Sequence, residues 1–312
     1  MATILVTGGA GFIGSHLAHG FVERGHNVRV LDDFSTGRRE NLAPLAGRVD
    51  VVQGDLRDFP TCVQACRDIE LVYHQAAIPS VPKSVDDPQA SHDANVNGTF
   101  NILMAAVRMK CRRVIYAASS SAYGDTVVSP KHEGIRPEPL SPYAVQKLTG
   151  ELYLRAFYEC FGLETIGLRY FNVFGPRQDP RSTYAAAIPS FVTAILAHRP
   201  PIVYGDGEQT RDFTYIDNIV QGNVLAGEVR ATKGEVVNVA CGQAVSINDI
   251  INRVNELLGK NVQPKYEPQR PGDVKHSLAD ISLARKLLNY EPRILFDEGL
   301  KRAIDYYASI AV

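Results

Sequence analysis

Ile4-Leu5-Val6-Thr7-Gly8-Gly9-Ala10-Gly11-Phe12-Ile13-Gly14-Ser15-His16-Leu17 decides how this chain is read. A short apolar run enters a turn of small residues, and a helical pattern leaves it. Gly8 suits a tight turn, Gly11 lets backbone approach a bound group, and Gly14 lets the helix pack closely on the strand. The free N–H groups and positive dipole end of that helix suit a pyrophosphate. The spacing is G-x-x-G-x-x-G, one residue longer than the common dinucleotide pattern. A second strand, Val28-Arg29-Val30-Leu31-Asp32-Asp33, ends in carboxylates. Asp32 lies 18 residues after Gly14, near the ~20-residue offset of an acid that binds the adenosine ribose. A carboxylate there accepts from ribose hydroxyls and repels a 2′-phosphate, which favours NAD over NADP, with Arg38 and Arg39 nearby weighing the other way. Asp55 ends a third strand, where an adenine edge would sit.

Working outward, compact apolar runs at 4–6, 27–31, 49–53, 71–73, 113–117 and 165–169 suit strands buried on both faces. Helical patterns at 13–24, 59–66, 90–109 and 143–161 lie between them. This alternation predicts an α/β fold with a doubly wound parallel Rossmann sheet, complete by about residue 170. Pro and Gly cluster at 174–180 and 199–207, and helices are expected at 247–258 and 297–307. Residues 1–170 are therefore assigned to an NAD-binding domain and 171–312 to a smaller α+β substrate-binding domain, with segments such as 213–219 returning to the first sheet.

The chain has 312 residues, 45% of them hydrophobic, and a formal net charge of −1. Nothing in that balance suits a phosphate backbone, so nucleic acid is not an expected partner. No run approaches the ~20 apolar residues of a membrane span, and the start lacks the basic region of a signal peptide. Cys62, Cys66, Cys111, Cys160 and Cys241 form no C-x-x-C pair. They read as reduced, mostly packed thiols of a cytoplasmic protein, and no metal site is expected.

Ser141-Pro142-Tyr143-Ala144-Val145-Gln146-Lys147 places Tyr143 and Lys147 four residues apart on one helix face. A free tyrosine has a pKa of ~10, so forming a phenolate at neutral pH costs about 4 kcal/mol. An ammonium one turn away is expected to reduce that cost. Upstream, Arg113 to Gly124 reads as a buried strand opening into Ser119, Ser120 and Ser121, at the end of the sheet where doubly wound folds bind ligands.

Thr7–Gly14, His74-Gln75-Ala76-Ala77, Ser119–Gly124, Tyr143-x-x-x-Lys147 and Arg169-Tyr170-Phe171-Asn172 together resemble the extended short-chain dehydrogenase/reductases over essentially the whole chain. More narrowly they resemble UDP-hexose 4-epimerases, in the branch acting on UDP-N-acetylglucosamine. The resemblance implies a redox-neutral cycle on tightly held NAD. Tyr143 would take the proton of the sugar 4-hydroxyl, Lys147 would hold the nicotinamide ribose, and Ser119 would hydrogen-bond the 4-oxygen, with Ser120 as its alternate. It also places Gly8, Gly11, Phe12, Ile13, Gly14, Asp32, Asp33, Gly37, Asp55, Leu56, Gln75, Ala76, Ala77, Asn95 and Tyr170 around the cofactor. On the substrate side it implies Arg211 and Arg270 for the diphosphate and Asp273 for the uridine ribose. Val203 and Tyr204 would flank the base, Asn172 would bond the diphosphate or sugar, and Ala186, Ala187 and Ser277 would wall the sugar. A small Ser277 leaves room for an acetamido group at C2, so activity on acetylated and plain sugars is expected.

Nucleotide-sugar dehydratases and UDP-glucuronate decarboxylases resemble this chain but carry an acid where Ser121 stands, so dehydration has no evident proton donor. A UDP-glucuronate 4-epimerase is the nearer alternative, since Arg177 or Arg181 could pair with a substrate carboxylate. A nucleotide-sugar dehydrogenase and a non-catalytic dinucleotide sensor are more distant ones. His74 reads as a packed histidine, Arg112 and Arg113 as helix C-terminal caps. The helical patterns at 90–109 and 143–161 would form a homodimer interface by the same resemblance.

Overall fold

The computed structural model describes residues 1–180, 187–269 and 274–310. Six strands follow the apolar runs: β1 (Thr3–Thr7), β2 (Asn27–Asp32), β3 (Val49–Gln53), β4 (Leu71–His74), β5 (Arg113–Ser119) and β6 (Glu164–Tyr170). They form a parallel sheet in the order β6-β5-β4-β1-β2-β3, with strand Glu235–Val239 added beside β6. The continuous apolar character of β1 has a direct cause. Ile4 and Val6 enter one hydrophobic core and Leu5 enters the other, so both faces are covered. Helix α1 (Phe12–Glu23) supplies Leu17 and Phe21 to the first core. Helices Phe59–Cys66, Gly98–Met109 and Pro142–Phe161 cover the opposite face. β3 departs from the expectation of two buried faces: as the edge strand it leaves Val51 exposed.

Two further differences concern continuity. The sheet is not complete by residue 170, because its seventh strand is Glu235–Val239. Asn238 interrupts the apolar run there, and its buried amide is satisfied by Tyr123, by the Lys131 carbonyl and by the Asp280 carbonyl. The helix expected at 90–109 is segmented into Pro88–His92, a π-helical turn Asp93–Asn97 and Gly98–Met109, with Val81–Asp86 preceding it. Such π turns often mark functional sites.

The segment 213–219 adds no strand to the first sheet, contrary to the expectation; it reaches that layer only through the helix that starts at Ile216. Thr214–Tyr215 pairs with Val173–Phe174, and helix Ile216–Glu228 packs against α1, β5 and β6. Arg113 is fully buried and caps the end of that helix, donating to the Ala226 and Gly227 carbonyls while pairing with Glu164 at 2.5 Å. The remaining chain forms short strands: Thr210–Asp212 lies between Ala244–Ser246 and His276–Ser277, and Ile202–Tyr204 pairs with Lys265–Glu267. Among the described residues no helix is long and apolar enough to cross a membrane.

Strand order reverses between β1 and β4, which opens a crevice at their carboxyl ends. His74 sits at that point, buried, with its ring nitrogens 2.7 Å from Thr7 Oγ1 and 2.9 Å from Thr99 Oγ1. Burial, then the nearby Lys147, lower its pKa to about 3, so it is a neutral structural link between strands and helix. The unfolded chain binds this proton from about pH 6.5 downward while the folded chain does not, so stability is lost as pH falls from 6.5 toward 3. The urea midpoint of a His74→Gln variant should therefore fall less between pH 6.5 and 4 than that of the wild type. The difference corresponds to at most one proton, ~1.4 kcal/mol per pH unit. Equal pH slopes in the two proteins would refute this origin.

Candidate active site

The glycine turn is held by backbone. Gly8, with φ of +64°, donates its N–H to the Leu31 carbonyl at 2.8 Å. A Cβ on Gly8 would stand 2.7 Å from Ala76, and one on Gly14 would collide with the Gly8 carbonyl. Among the described residues five other α-helices begin with a capping side chain, from Asp58, Ser80, Asp87, Ser141 or Ser246, while Ile216–Glu228 and Ser282–Leu288 have none. The residue before α1 is Gly11, which offers none, so the first N–H groups of α1 are left for another acceptor.

Asp32 lies beside this turn. Its carboxylate accepts from the Ala10 and Phe34 N–H groups at 2.9 and 2.8 Å, and burial raises its pKa. Those bonds aim the carboxylate and leave lone pairs for further donors. Gly37 closes against it, where a Cβ would meet Oδ1 at 2.6 Å. Asp33 is exposed and bonded to Ser35. The carboxylate of Asp55 is clasped by Arg57 at 2.5 and 2.8 Å, which lowers its pKa. Leu56 belongs to the second core. Arg38 is paired with Asp179 at 2.7 Å, and Arg39 lies over the Phe34 ring while donating to Gln53.

At the carboxyl ends of β5 and β6 the hydroxyls converge. Ser119 pairs in register with Tyr170, and its Oγ accepts from the Ser121 N–H and hydroxyl at 3.2 and 2.8 Å. Tyr143 opens helix Pro142–Phe161, capped by Ser141. Its hydroxyl is hydrogen-bonded to Ser119, yet burial outweighs that bond and pushes its pKa up to about 12. Lys147 is buried, donates from Nζ to the Ala117 carbonyl at 2.9 Å and lies over the Tyr116 ring at 4.9 Å. Desolvation lowers its pKa to about 8. This corrects the expected coupling. The spacing does put both residues on one helix, but the ammonium is turned toward β5 and burial moves the tyrosine away from the phenolate.

Several positions expected to touch a cofactor are bonded into the scaffold. Asn95 is buried in the π turn; its Oδ1 accepts from Ile78 N–H at 2.7 Å and its Nδ2 donates to Gln146 at 2.8 Å. Thus it braces the Ala76–Ala77 loop against the helix of Tyr143. Tyr170 is bonded to both Gln75 and Asn223. Sequence reading missed Gln146 and Asn223, and also Ser84, whose hydroxyl accepts the Tyr143 N–H at 3.0 Å. The only sequence signal for Ser84 is its place in a short Pro-initiated helix, Val81–Asp86.

On the other side of the crevice, a cavity is lined by Tyr204, Gln209, Arg211 and Lys275. Gln209 donates to the Tyr204 carbonyl, and Arg211 donates to the Thr210 and Lys275 carbonyls. Val203 has its side chain in the core below. Ser277 is buried opposite Arg211 in the paired strand, and Asn172 donates to the Asp212 carbonyl at 3.0 Å. Ser120 and Ala187 are partly buried. Ala186, Arg270 and Asp273, like Arg181, lie outside the described residues. Arg177 Nε lies 3.2 Å from His16 Nε2, and its Nη1 donates to the Asn41 carbonyl.

Comparison with known proteins bears on the family and the fold. Residues 4–240 match the NAD dependent epimerase/dehydratase family. A putative UDP-glucose 4-epimerase of Methanocaldococcus jannaschii is 37% identical over 97% of both chains. The solved UDP-N-acetylglucosamine 4-epimerase of Methanobrevibacter ruminantium M1, in complex with UDP-N-acetylmuramic acid, is 39% identical. It superposes with a TM-score of 0.95 over 99% of both chains. The UDP-glucuronic acid 4-epimerase of Bacillus cereus, in complex with UDP-glucuronic acid and NAD, is 35% identical with a TM-score of 0.90, over 99% of both chains.

Proposed function

The chain belongs to the NAD dependent epimerase/dehydratase family, and from that premise we propose that it is an NAD-dependent UDP-sugar 4-epimerase. Its proposed substrates are UDP-N-acetylglucosamine and UDP-N-acetylgalactosamine, and also UDP-glucose and UDP-galactose. One observation carries the reading: Tyr143 is hydrogen-bonded to Ser119 at the mouth of a crevice that begins with an uncapped glycine turn. The residues present fit NAD. The bare N–H groups of α1 suit its pyrophosphate, the aimed Asp32 suits a ribose diol, and Arg38 and Arg39 are engaged elsewhere, leaving no cation committed to a 2′-phosphate. We assign residues 1–170, completed by Glu235–Val239, to the cofactor and most of 171–312 to the UDP-sugar.

NAD supplies a hydride acceptor at its nicotinamide that becomes a hydride donor in the second half of the cycle. As the phenolate, Tyr143 Oη takes the 4-hydroxyl proton of the sugar and returns it to the 4-oxygen when the other face has been reduced. Burial alone favours the phenol, so the phenolate would depend on the positive charge that oxidised NAD would bring into this water-poor crevice. Ser119 Oγ orients that oxygen. Arg211 holds the diphosphate while the sugar turns, so the 4-keto sugar stays tethered. Ser121 stands beside Ser119 and offers no carboxyl group to protonate a leaving hydroxyl, which favours epimerisation over dehydration. The glucuronate reading needs a cation for the substrate carboxylate, and Arg177, whose Nη1 is turned to the Asn41 carbonyl, and Arg181 are its two candidates.

A homodimer is part of the proposal. Val145 and Leu152, on one face of a helix, and Phe100 of the neighbouring helix are exposed apolar residues, Leu152 at 67%, and Phe100 contacts Tyr153 across the two helices. Burying such a stripe against a second copy removes a large apolar patch from water.

Incubation with each UDP-sugar without added NAD should give the 4-epimer by NMR, and Tyr143→Phe should slow this roughly 10²–10⁴-fold. Accumulation of an oxidised or dehydrated sugar instead would overturn the reaction class. Replacing Ser277 by Tyr should abolish turnover of the N-acetylated sugar and spare UDP-galactose, measured by the same spectra; equal loss of both would remove Ser277 from the C2 wall. Light scattering should find a dimer that Leu152→Glu converts to monomer, and a wild-type monomer would refute the interface.

A further inference from the structure

Asp212 is a fully buried carboxylate that the reaction above does not use. It ends the strand that carries Arg211. Cys241 donates its N–H to Oδ1 at 3.0 Å, and Gly242 and Ala279 donate theirs to Oδ2 at 2.9 and 3.2 Å. The Gln243 N–H is a fourth donor. The Asp212 carbonyl accepts from Asn172, and Ser277, two residues before Ala279, pairs with Arg211. Among the described residues no lysine or arginine makes an ion pair with Asp212.

A buried carboxylate held this way is costly for stability, and an apolar side chain would fill the same space more cheaply. What the carboxylate adds is direction, because it ties separate loops to one point. We propose that Asp212 is a positioning residue for the UDP-sugar site, holding the segments of Arg211, Asn172 and Ser277 in register through a cage of backbone N–H donors. The proposal rests on the 4-epimerase reading.

Burial lifts the Asp212 carboxyl to about 6, against the lowering effect of its N–H donors. A carboxyl that binds its proton more tightly inside the cage than in water makes the cage firmer as pH falls through that value and looser as pH rises through it. The Cys241 thiol, pushed up to about 12, and the Tyr290 hydroxyl, pushed well above its usual value, both face Asp212 and stay neutral in this range. Arg211 stands on its own strand, Lys275 and His276 on or next to the paired strand, and Asp280 follows Ala279. His276 bonds Thr210 and needs a control.

The test is calorimetric binding of UDP-N-acetylglucosamine to the full chain carrying Tyr143→Phe and His276→Gln, from pH 7.5 to 5. The diester diphosphate of this ligand has no proton that titrates there. Affinity should tighten as pH falls across the range, by up to about tenfold, the equivalent of about 1.4 kcal/mol. Adding Asp212→Asn should give weak, pH-independent binding, and in the otherwise wild-type enzyme should raise KM more than it lowers kcat. Affinity that stays flat with pH while Asp212 is present overturns the proposal, even if the Asn variant fails to fold. No binding at pH 7.5 overturns the UDP-sugar reading instead.

Discussion

The close approach of α1 to β1 is the constraint on which the site depends. A side chain on Gly14 would run into the Gly8 carbonyl, and one on Gly8 would run into the backbone of Ala76. With both absent, the helix starts directly above the strand end and its N–H groups open toward the crevice. The same approach brings β4 alongside β1, so that Thr7 reaches His74 and the Gln75–Ala77 loop lies beside the glycine turn. In the proposed reading, phosphate recognition and the placing of the nicotinamide end thus share one steric cause.

Around that centre, buried amides and hydroxyls hold the reacting residues by satisfying backbone groups that would otherwise be stranded. Asn95 serves the Ile78 backbone and Gln146, Ser84 serves the Tyr143 N–H, and Asn238 serves three segments at once. None of these side chains needs to touch substrate to matter. Each removes a degree of freedom from a group that does, which is how a helix and several loops are kept to a fixed geometry.

Burial also sets the charges of the site. It pushes Tyr143 toward the phenol and Lys147 toward the amine, so neither has its reactive charge from the other in this arrangement. Charge brought into such a water-poor crevice is felt strongly, because little solvent screens it. The residues proposed for the UDP-sugar are held by strand pairing and by the Asp212 cage.

The strands were legible because a parallel strand buried on two faces reads as a short apolar run, and β1, β2 and β4–β6 obey that rule. Tyr143 and Lys147 were legible from a four-residue spacing, and Asp32 from its offset after Gly14, both matters of local geometry. The seventh strand was hidden because Asn238 breaks its apolar run and finds its partners far away in sequence. Ser84, Gln146 and Asn223 were hidden for the same reason. Periodicity and spacing by themselves determined six strands of the sheet, the glycine turn and the placing of Tyr143 and Lys147 on one helix, since these follow from covalent and steric rules along the chain. The roles expected of that pair came from a family resemblance. Only tertiary structure decided where Lys147 points, how far Tyr143 is from ionising and what holds the substrate wall, because desolvation and buried hydrogen bonds depend on atoms that folding brings together.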